Sequence, residues 1–231
     1  MGVLNGERKQ ESANHGHGTA PSPAEAIAIQ KQLAGEVRIG KLLPESVIRI
    51  AGADVAFPGR GRRARAAVVV MAYPELEILE SAVVEQATEF PYIPGLLSFR
   101  ELPAILNALK QLSGKPDLVL CDGQGIAHPR RLGIASHLGV ATGLATIGVG
   151  KSRLCGNYVE PGDRRGDSSA LMDGGERIGT VLRTRDRVRP LFVSPGHRVD
   201  HSGARRWVLG TLGRFRLPEP IRAADRLAGK A

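Results

Sequence analysis

Ile48, Ile50 and Gly52 fall on one side of an extended chain, and the alternation carries Asp54 onto that same side. The pattern predicts a strand over 47–57, closed by a glycine turn at 59–61. A continuous apolar run predicts a second strand over 66–73, and Pro74-Glu75 turns the chain into a third over 76–88. Two prolines and a glycine mark 90–97 as a loop. Leu102, Ile105, Leu106, Leu109 and Leu112 then share one helical stripe, which predicts a helix over 98–112 stopped by Gly114 and Pro116. Residues 118–121 are apolar at every position, the mark of a strand covered on both faces. A helix over 133–143 and another short buried strand at 145–149 follow, and 160–169 reads as an exposed loop. Strand-like runs at 178–183 and 191–193 precede a helix over 200–212, and Pro218 and Pro220 introduce a last helix. At the other end, residues 1–23 are polar and read as a disordered leader, with a helix over 24–33 behind Pro23.

No internal repeat or domain boundary is visible, so 24–231 reads as a single α/β domain. Three antiparallel strands followed by alternating helix and strand imply a mixed sheet flanked by helices, the order of a ribonuclease-H-like fold. On fold alone this says little about function.

Composition narrows the class. Lys and Arg number 32 against 23 Asp and Glu, a net charge of +9. The leader is balanced, with Arg8 and Lys9 against Glu7 and Glu11, so the excess sits on 24–231. A folded domain that basic favours a polyanion, and solubility alone needs less charge. Cys121 and Cys155 form no CxxC pair and read as two reduced, buried thiols. With no secretory segment and no long apolar run, the chain is expected to be soluble and cytoplasmic, with no membrane partner.

Several residues could carry chemistry. A carboxylate on the apolar side of a strand, as at Asp54, is costly unless paired or metal-bound; a surface-facing Asp near a strand end is the alternative. Asp122 ends the run Leu118-Val119-Leu120-Cys121, at the carboxyl end of a strand where ligands gather in open α/β sheets. Gly123 and Gly125 let the backbone approach a ligand, although Asp122 could simply cap that turn. If the strands of Asp54 and Asp122 lie side by side, the two acids could share one hard cation such as magnesium. Ser98-Phe99-Arg100-Glu101 has the spacing of a capping box, which by itself explains Glu101. Asp225 falls on the edge of the apolar stripe Ile221, Ala224 and Ala228, either paired with an arginine or close to a metal. Lys151 follows a buried strand and could hold a phosphate or be an ordinary surface lysine. His128, Arg130 and Arg131 could touch phosphate, or His128 could be a loop histidine with ordinary hydrogen bonds. Tyr92 and Ile93, between Pro91 and Pro94, could form a wedge pushed between base pairs or pack on the core. Arg60, Arg62, Arg63 and Arg65 form a basic hairpin tip that is either solvated or tracks a phosphate backbone.

Three long stretches carry a resemblance. They are Ala51-Gly52-Ala53-Asp54-Val55, then Pro91-Tyr92-Ile93-Pro94-Gly95-Leu96-Leu97-Ser98-Phe99-Arg100-Glu101, then Asp122-Gly123-Gln124-Gly125-Ile126-Ala127-His128-Pro129-Arg130. Gly196-His197-Arg198 and Arg216-Leu217-Pro218-Glu219-Pro220 fit as well. The chain resembles the endonuclease V family over about 47–227. The resemblance implies a repair nuclease that recognises deoxyinosine in DNA. It would hydrolyse the second phosphodiester bond 3′ to the lesion, leaving a 3′-hydroxyl and a 5′-phosphate. It implies Asp54 and Asp122 as ligands of Mg2+, with Mn2+ able to substitute, and Glu101 completing the acidic metal site in place of a mere cap. Asp225 becomes its fourth acid and Lys151 its lysine. Tyr92 becomes the strand-separating wedge, with Ile93 beside it. Gly95, Leu97 and Gly123 would line the lesion pocket, and His128 and Arg130 would contact DNA. Gln124 departs from the His of many members, which removes any proton relay there. A monomer is expected. Two alternatives stay open: a nuclease of the same fold acting on inosine-containing RNA or branched DNA, and a non-catalytic nucleic-acid binder.

Overall fold

The computed structural model describes residues 20–40, 47–59 and 61–229. The leader residues 1–19 and Arg60 lie outside them. β1 (Arg49–Ala56), β2 (Arg63–Ala72) and β3 (Ile78–Ala87) form the expected antiparallel meander. β4 (Leu118–Asp122) joins β1 in parallel, and β5 (Ala145–Gly150) joins β4 in parallel. β6 (Ser168–Asp173), β7 (Glu176–Leu182) and β8 (Leu191–His197) complete an eight-stranded sheet of order β3-β2-β1-β4-β5-β8-β7-β6. This is the ribonuclease-H-like mixed sheet that the strand order predicts.

The helices divide between the two faces of the sheet. α2 (Ser98–Lys110) and α3 (Ile134–Thr142) cover the face of Ala51, Ala53, Val119 and Cys121. α4 (His201–Gly210) and α5 (Glu219–Gly229) share the other face with Ile50, Leu118, Leu120 and Ile147. α1 (Pro23–Ala34) packs through Ala26 and Ile27 on Phe90 and Leu96, the stem of the proline loop. The even positions of β1 and β4 face α5, so both strands deliver their terminal carboxylates, Asp54 and Asp122, on one side. No helix among the described residues is long and apolar enough to cross a membrane.

Three expectations need correction. The loop read over 160–169 ends in β6, a strand whose polar start hides its period. Its better signal was Gly174-Gly175, both at positive φ, the backbone that closes a tight hairpin with β7. Ser98 is not a helix cap: Leu97 occupies that place in helical conformation, and the Ser98 hydroxyl lies 3.0 Å from His137 Nδ1 on α3. The capping box is on α1 instead, where Ser22 and Glu25 bond each other's backbone N–H groups. Cys121 is buried as expected, but Cys155 is only half-buried; both are free thiols.

Candidate active site

The carboxyl ends of β1, β4 and β5 meet at one edge of the sheet, because these neighbours are parallel and in register from Ala53 to Cys121 to Gly148. Asp54 and Asp122 therefore sit side by side on adjacent strands. α5 supplies Asp225 from above. It comes this close because β1 carries Gly52, where an added Cβ would overlap the backbone carbonyl of Pro220. Carboxylate oxygens of Asp54, Asp122 and Asp225 all lie within 4.8 Å of one another. Lys151, just past β5, puts its ammonium 2.5 Å from Asp122 and 3.7 Å from Asp225.

The electrostatics follow from burial and crowding. Burial first, then the Asp122 charge, pushes the Asp54 carboxyl up to about 7, against the Val55 N–H that its Oδ1 accepts at 2.8 Å. Burial also raises Asp122, despite the Lys151 ammonium on it. Lys151 would be lowered by burial, but its hydrogen bond to Asp122 and the charges of Asp122, Asp54 and Asp225 hold it above its ordinary value. Glu101 on α2 is buried, and burial followed by Asp54 and Asp122 pushes it up to about 8. It feels the same pair of acids but is not part of the close trio, which is Asp54, Asp122 and Asp225. Asp54, Asp122 and Glu101 hold their protons more tightly than isolated carboxyls do, and a hard cation among them relieves that crowding. The donor set, all carboxylate oxygen, fits magnesium.

The backbone between these groups is close-packed. Gly125 and Gly148 lie against each other, and a Cβ on Gly148 would overlap the Gly125 nitrogen. Gln124 donates from Nε2 to the Ser152 carbonyl at 3.0 Å. From the other side Arg216 donates to the carbonyls of Lys151 at 2.9 Å and Pro190 at 2.8 Å. The residue that carries the ammonium is thus held at its own backbone and at its neighbour's. Arg216 opens one of the shorter motifs, but nothing in the sequence gives it this role.

The proline loop divides its two apolar residues. Tyr92 is 69% exposed, whereas Ile93 is half-buried against the cluster of Phe90 and Leu96. Leu97 is 37% exposed, and Gly95 turns with φ 77. The Gly95 carbonyl is met by three side chains: Gln30 Nε2 at 3.0 Å, His128 Nε2 at 3.0 Å and Arg130 at 2.7 Å. His128 is buried, its Nδ1 accepts from the Arg130 N–H at 3.1 Å, and burial drops it to about 4. Arg130 also bonds the Gln30 amide oxygen, and Arg131 pairs with Asp173 and Glu176. Of the residues expected at phosphate, His128 has both ring nitrogens bonded within the chain, Arg130 its Nε and Nη2 and Arg131 its Nε and Nη1, and the first two carry the loop from beneath. Sequence reasoning missed Gln30. Its signal was a lone polar residue in the stripe Ala26, Gln30, Leu33 of α1. At the hairpin tip, Arg63 pairs with Glu85 at 2.5 Å and Arg62 is exposed.

Known proteins match this arrangement over most of its length. The sequence profile of the family described as Endonuclease V covers residues 31–226. Endonuclease V of Alkalilimnicola ehrlichii is 61% identical over 179 residues, 78% of this chain and 79% of that one. The crystal structure of endonuclease V from Streptomyces avermitilis superposes with a TM-score of 0.86 at 43% identity, covering 91% of this chain and 93% of that one. Endonuclease V of Ciona intestinalis, solved in complex with a 24mer DNA containing an inosine followed by a ribo-adenosine, gives a TM-score of 0.77 at 27% identity over 88% of this chain and 94% of that one.

Proposed function

The chain belongs to the endonuclease V family, and from that premise we propose that it nicks DNA at deoxyinosine. It hydrolyses the second phosphodiester bond on the 3′ side of the lesion and leaves a 3′-hydroxyl and a 5′-phosphate. The observation that carries this reading is the trio Asp54, Asp122 and Asp225 within 4.8 Å, with the Lys151 ammonium 2.5 Å from Asp122. A nucleic-acid binder without catalysis has no use for acids crowded in this way at one sheet edge.

Asp54, Asp122 and Asp225 would hold the divalent cation, magnesium by the hardness of its donors, with Glu101 in the layer behind them. When bound, that cation supplies Lewis-acid stabilisation of the phosphate and a more acidic water. The chain's own residues do the rest. Lys151 fixes a positive charge beside the acids, where a phosphate oxygen can meet it. Tyr92, exposed on a loop stiffened by two prolines, stacks on the base steps at the lesion. Gly95, Leu97 and Gly123 form the wall against which the extruded hypoxanthine is read, and Ile93, His128 and Arg130 keep that wall in place.

A matched pair of duplexes with and without inosine tests the reading. Magnesium-dependent nicking of the inosine strand, abolished by EDTA, is the expected result. Absence of any nick with metal present overturns it. The strand bound by the Ciona relative carries a ribonucleotide after the inosine, which keeps inosine-containing RNA as a second reading. Cleavage rates on matched DNA and RNA oligonucleotides decide between them.

A further inference from the structure

Two loops at one end of the active-site edge have no part in the reading above. One runs over 160–167 ahead of β6, and the other over 183–190 between β7 and β8. The antiparallel pairing of β5, β8, β7 and β6 brings both to the edge that carries Asp54, Asp122 and Lys151. They are stitched together by backbone donors: Gly166 N–H to Arg183 O at 2.8 Å, Arg183 N–H to Asp167 O at 2.9 Å and Arg187 N–H to Asp163 O at 2.8 Å. Beneath them the buried Arg183 guanidinium bonds the carbonyls of Gly162, Pro161 and Val188. Arg205 of α4 adds a bond to the Gly166 carbonyl at 2.7 Å.

On this platform stand Arg164, Arg165, Arg185, Arg187 and Arg189, all exposed. None of their guanidinium groups makes a hydrogen bond or ion pair among the described residues. The acids of the same loops bond Arg183 or backbone N–H groups and not these five guanidinium groups. Asp163 faces Arg183 at 3.7 Å, Asp167 accepts the Arg164 N–H at 2.9 Å and Asp186 accepts the Arg165 N–H at 2.6 Å. Arg187 is even held at φ 58, a backbone unfavourable for a residue with a Cβ. Charges that serve only solubility need no such scaffold. The platform is also tied to the catalytic edge, since Pro190, next to Arg189, shares the Arg216 guanidinium with Lys151. Like charges fixed together and left unpaired are a surface that a polyanion relieves.

We propose that these five arginines bind the phosphate backbone of the substrate where it leaves the active site, and so lengthen its footprint. This rests on the nucleic-acid reading above. Strands lie ~4.8 Å apart, so the three steps from β5 to β6 span ~14 Å. At ~3.4 Å per nucleotide along one strand, that is about four nucleotides beyond the catalytic edge.

The test compares wild type with a variant carrying Arg164→Ser, Arg165→Ser, Arg185→Ser and Arg187→Ser. Binding to an inosine-centred duplex is followed by anisotropy in EDTA over a range of salt. The variant should bind the long duplex about tenfold or more weakly, with a log–log salt slope shallower by about 0.9 for each phosphate it no longer neutralises. On a duplex truncated just beyond the nick on the covered side, the two proteins should bind alike. Lysine at the same four positions should restore most of the slope. An unchanged affinity and slope on the long duplex would make these arginines plain solvated charge and overturn the proposal. Equal losses on duplexes truncated at either side would overturn it too. Failure of the parent reading is seen separately, as a wild-type protein that leaves the inosine strand intact with magnesium present.

Discussion

Gly52 of β1 lies against the carbonyl of Pro220 at the start of α5, with no room for a Cβ between them. The contact is backbone on backbone, so neither side can swing away as a side chain would. It sets the height of α5 over the sheet, and through it the approach of Asp225 to Asp54. Gly52→Ala should therefore act twice. Forced separation costs about 1–3 kcal/mol or more in urea denaturation. Cleavage at saturating magnesium should also fall further than the reduced stability explains, because the acidic trio opens. Wild-type activity in a folded Gly52→Ala protein would mean that Asp225 is not needed at this distance.

The crowded acids make a second prediction. Carboxylates that repel in the folded chain should gain stability when a cation is added, by mass action on the native state. Magnesium should raise Tm in wild type and fail to do so in Asp54→Asn or Asp122→Asn. Loss of Lewis-acid stabilisation removes several kcal/mol from the transition state, so nicking should drop at least about a hundredfold in either variant. Lys151→Met should lower Tm in EDTA, since it leaves Asp122 beside Asp54 without its ion-pair partner.

Much of this site was legible because period and position are backbone properties. The alternation through Ile48 and Ile50 put Asp54 on the strand's apolar side, the apolar run before Asp122 put that acid at a strand's carboxyl end, and the stripe of Ile221, Ala224 and Ala228 put Asp225 at its edge, with the choice between an arginine partner and a metal left to the family resemblance. Loops have no such period. Nothing in His128-Pro129-Arg130-Arg131 says that the side chains turn inward, and three basic residues together suggest phosphate with no sign of the partners they have within the chain. Ser98 and Glu101 had the spacing of a capping box, but the turn before Ser98 is already helical, through Phe99 N–H to Leu96 O and Arg100 N–H to Leu97 O. That moves Ser98 inside the helix. The Arg216 hydrogen bonds join residues far apart in the chain, and no local pattern marks them.

The division of labour in the proline loop can be measured. Tyr92 is 69% exposed and Ile93 is half-buried in an apolar cluster. Tyr92→Ala should leave Tm unchanged and weaken binding to an inosine duplex by about 1–3 kcal/mol, the worth of one base–aromatic stack. Ile93→Ala should lower Tm first. Equal affinity of Tyr92→Ala and wild type for the lesion would remove the wedge.

His137 bears on stability at mild acid pH. It is buried, edge-on to Phe99 with ring centroids 5.0 Å apart, and burial drops it from 6.5 to about 4. Below pH 6.5 the unfolded chain binds a proton that the folded chain refuses, so stability falls with pH through that window and levels off near 4. A drop of this size corresponds to about 3 kcal/mol at most. The difference in unfolding free energy between wild type and His137→Phe should be flat above pH 7 and shift toward the variant by up to this amount as pH approaches 4. A difference that stays constant over pH 4–7 would show that the ring is not held neutral.

Gln30 should prove more than a core residue. It is fully buried on α1, donates to the carbonyls of Gly95 at 3.0 Å and Leu132 at 3.2 Å, and accepts from Arg130. Gln30→Leu keeps the volume roughly constant but leaves the Leu132 carbonyl without its donor and Arg130 Nε without its acceptor, at about 1–3 kcal/mol of stability. If that were all, turnover on every substrate would change alike once the protein is folded. On the proposed reading, however, the Gly95 carbonyl closes the wall against which the lesion is read, and removing one of its three donors lets that wall shift. The expected signature is a split: KM for the inosine duplex rises severalfold, while kcat at saturation, set by the acidic trio, stays near wild type. Replacement by Glu keeps an acceptor for Arg130 but sets a carboxylate oxygen against the Gly95 and Leu132 carbonyls, so Gln30→Glu should show the same rise in KM with a loss of stability at least as large. A Gln30→Leu protein that unfolds more easily yet has an unchanged KM would reduce Gln30 to packing.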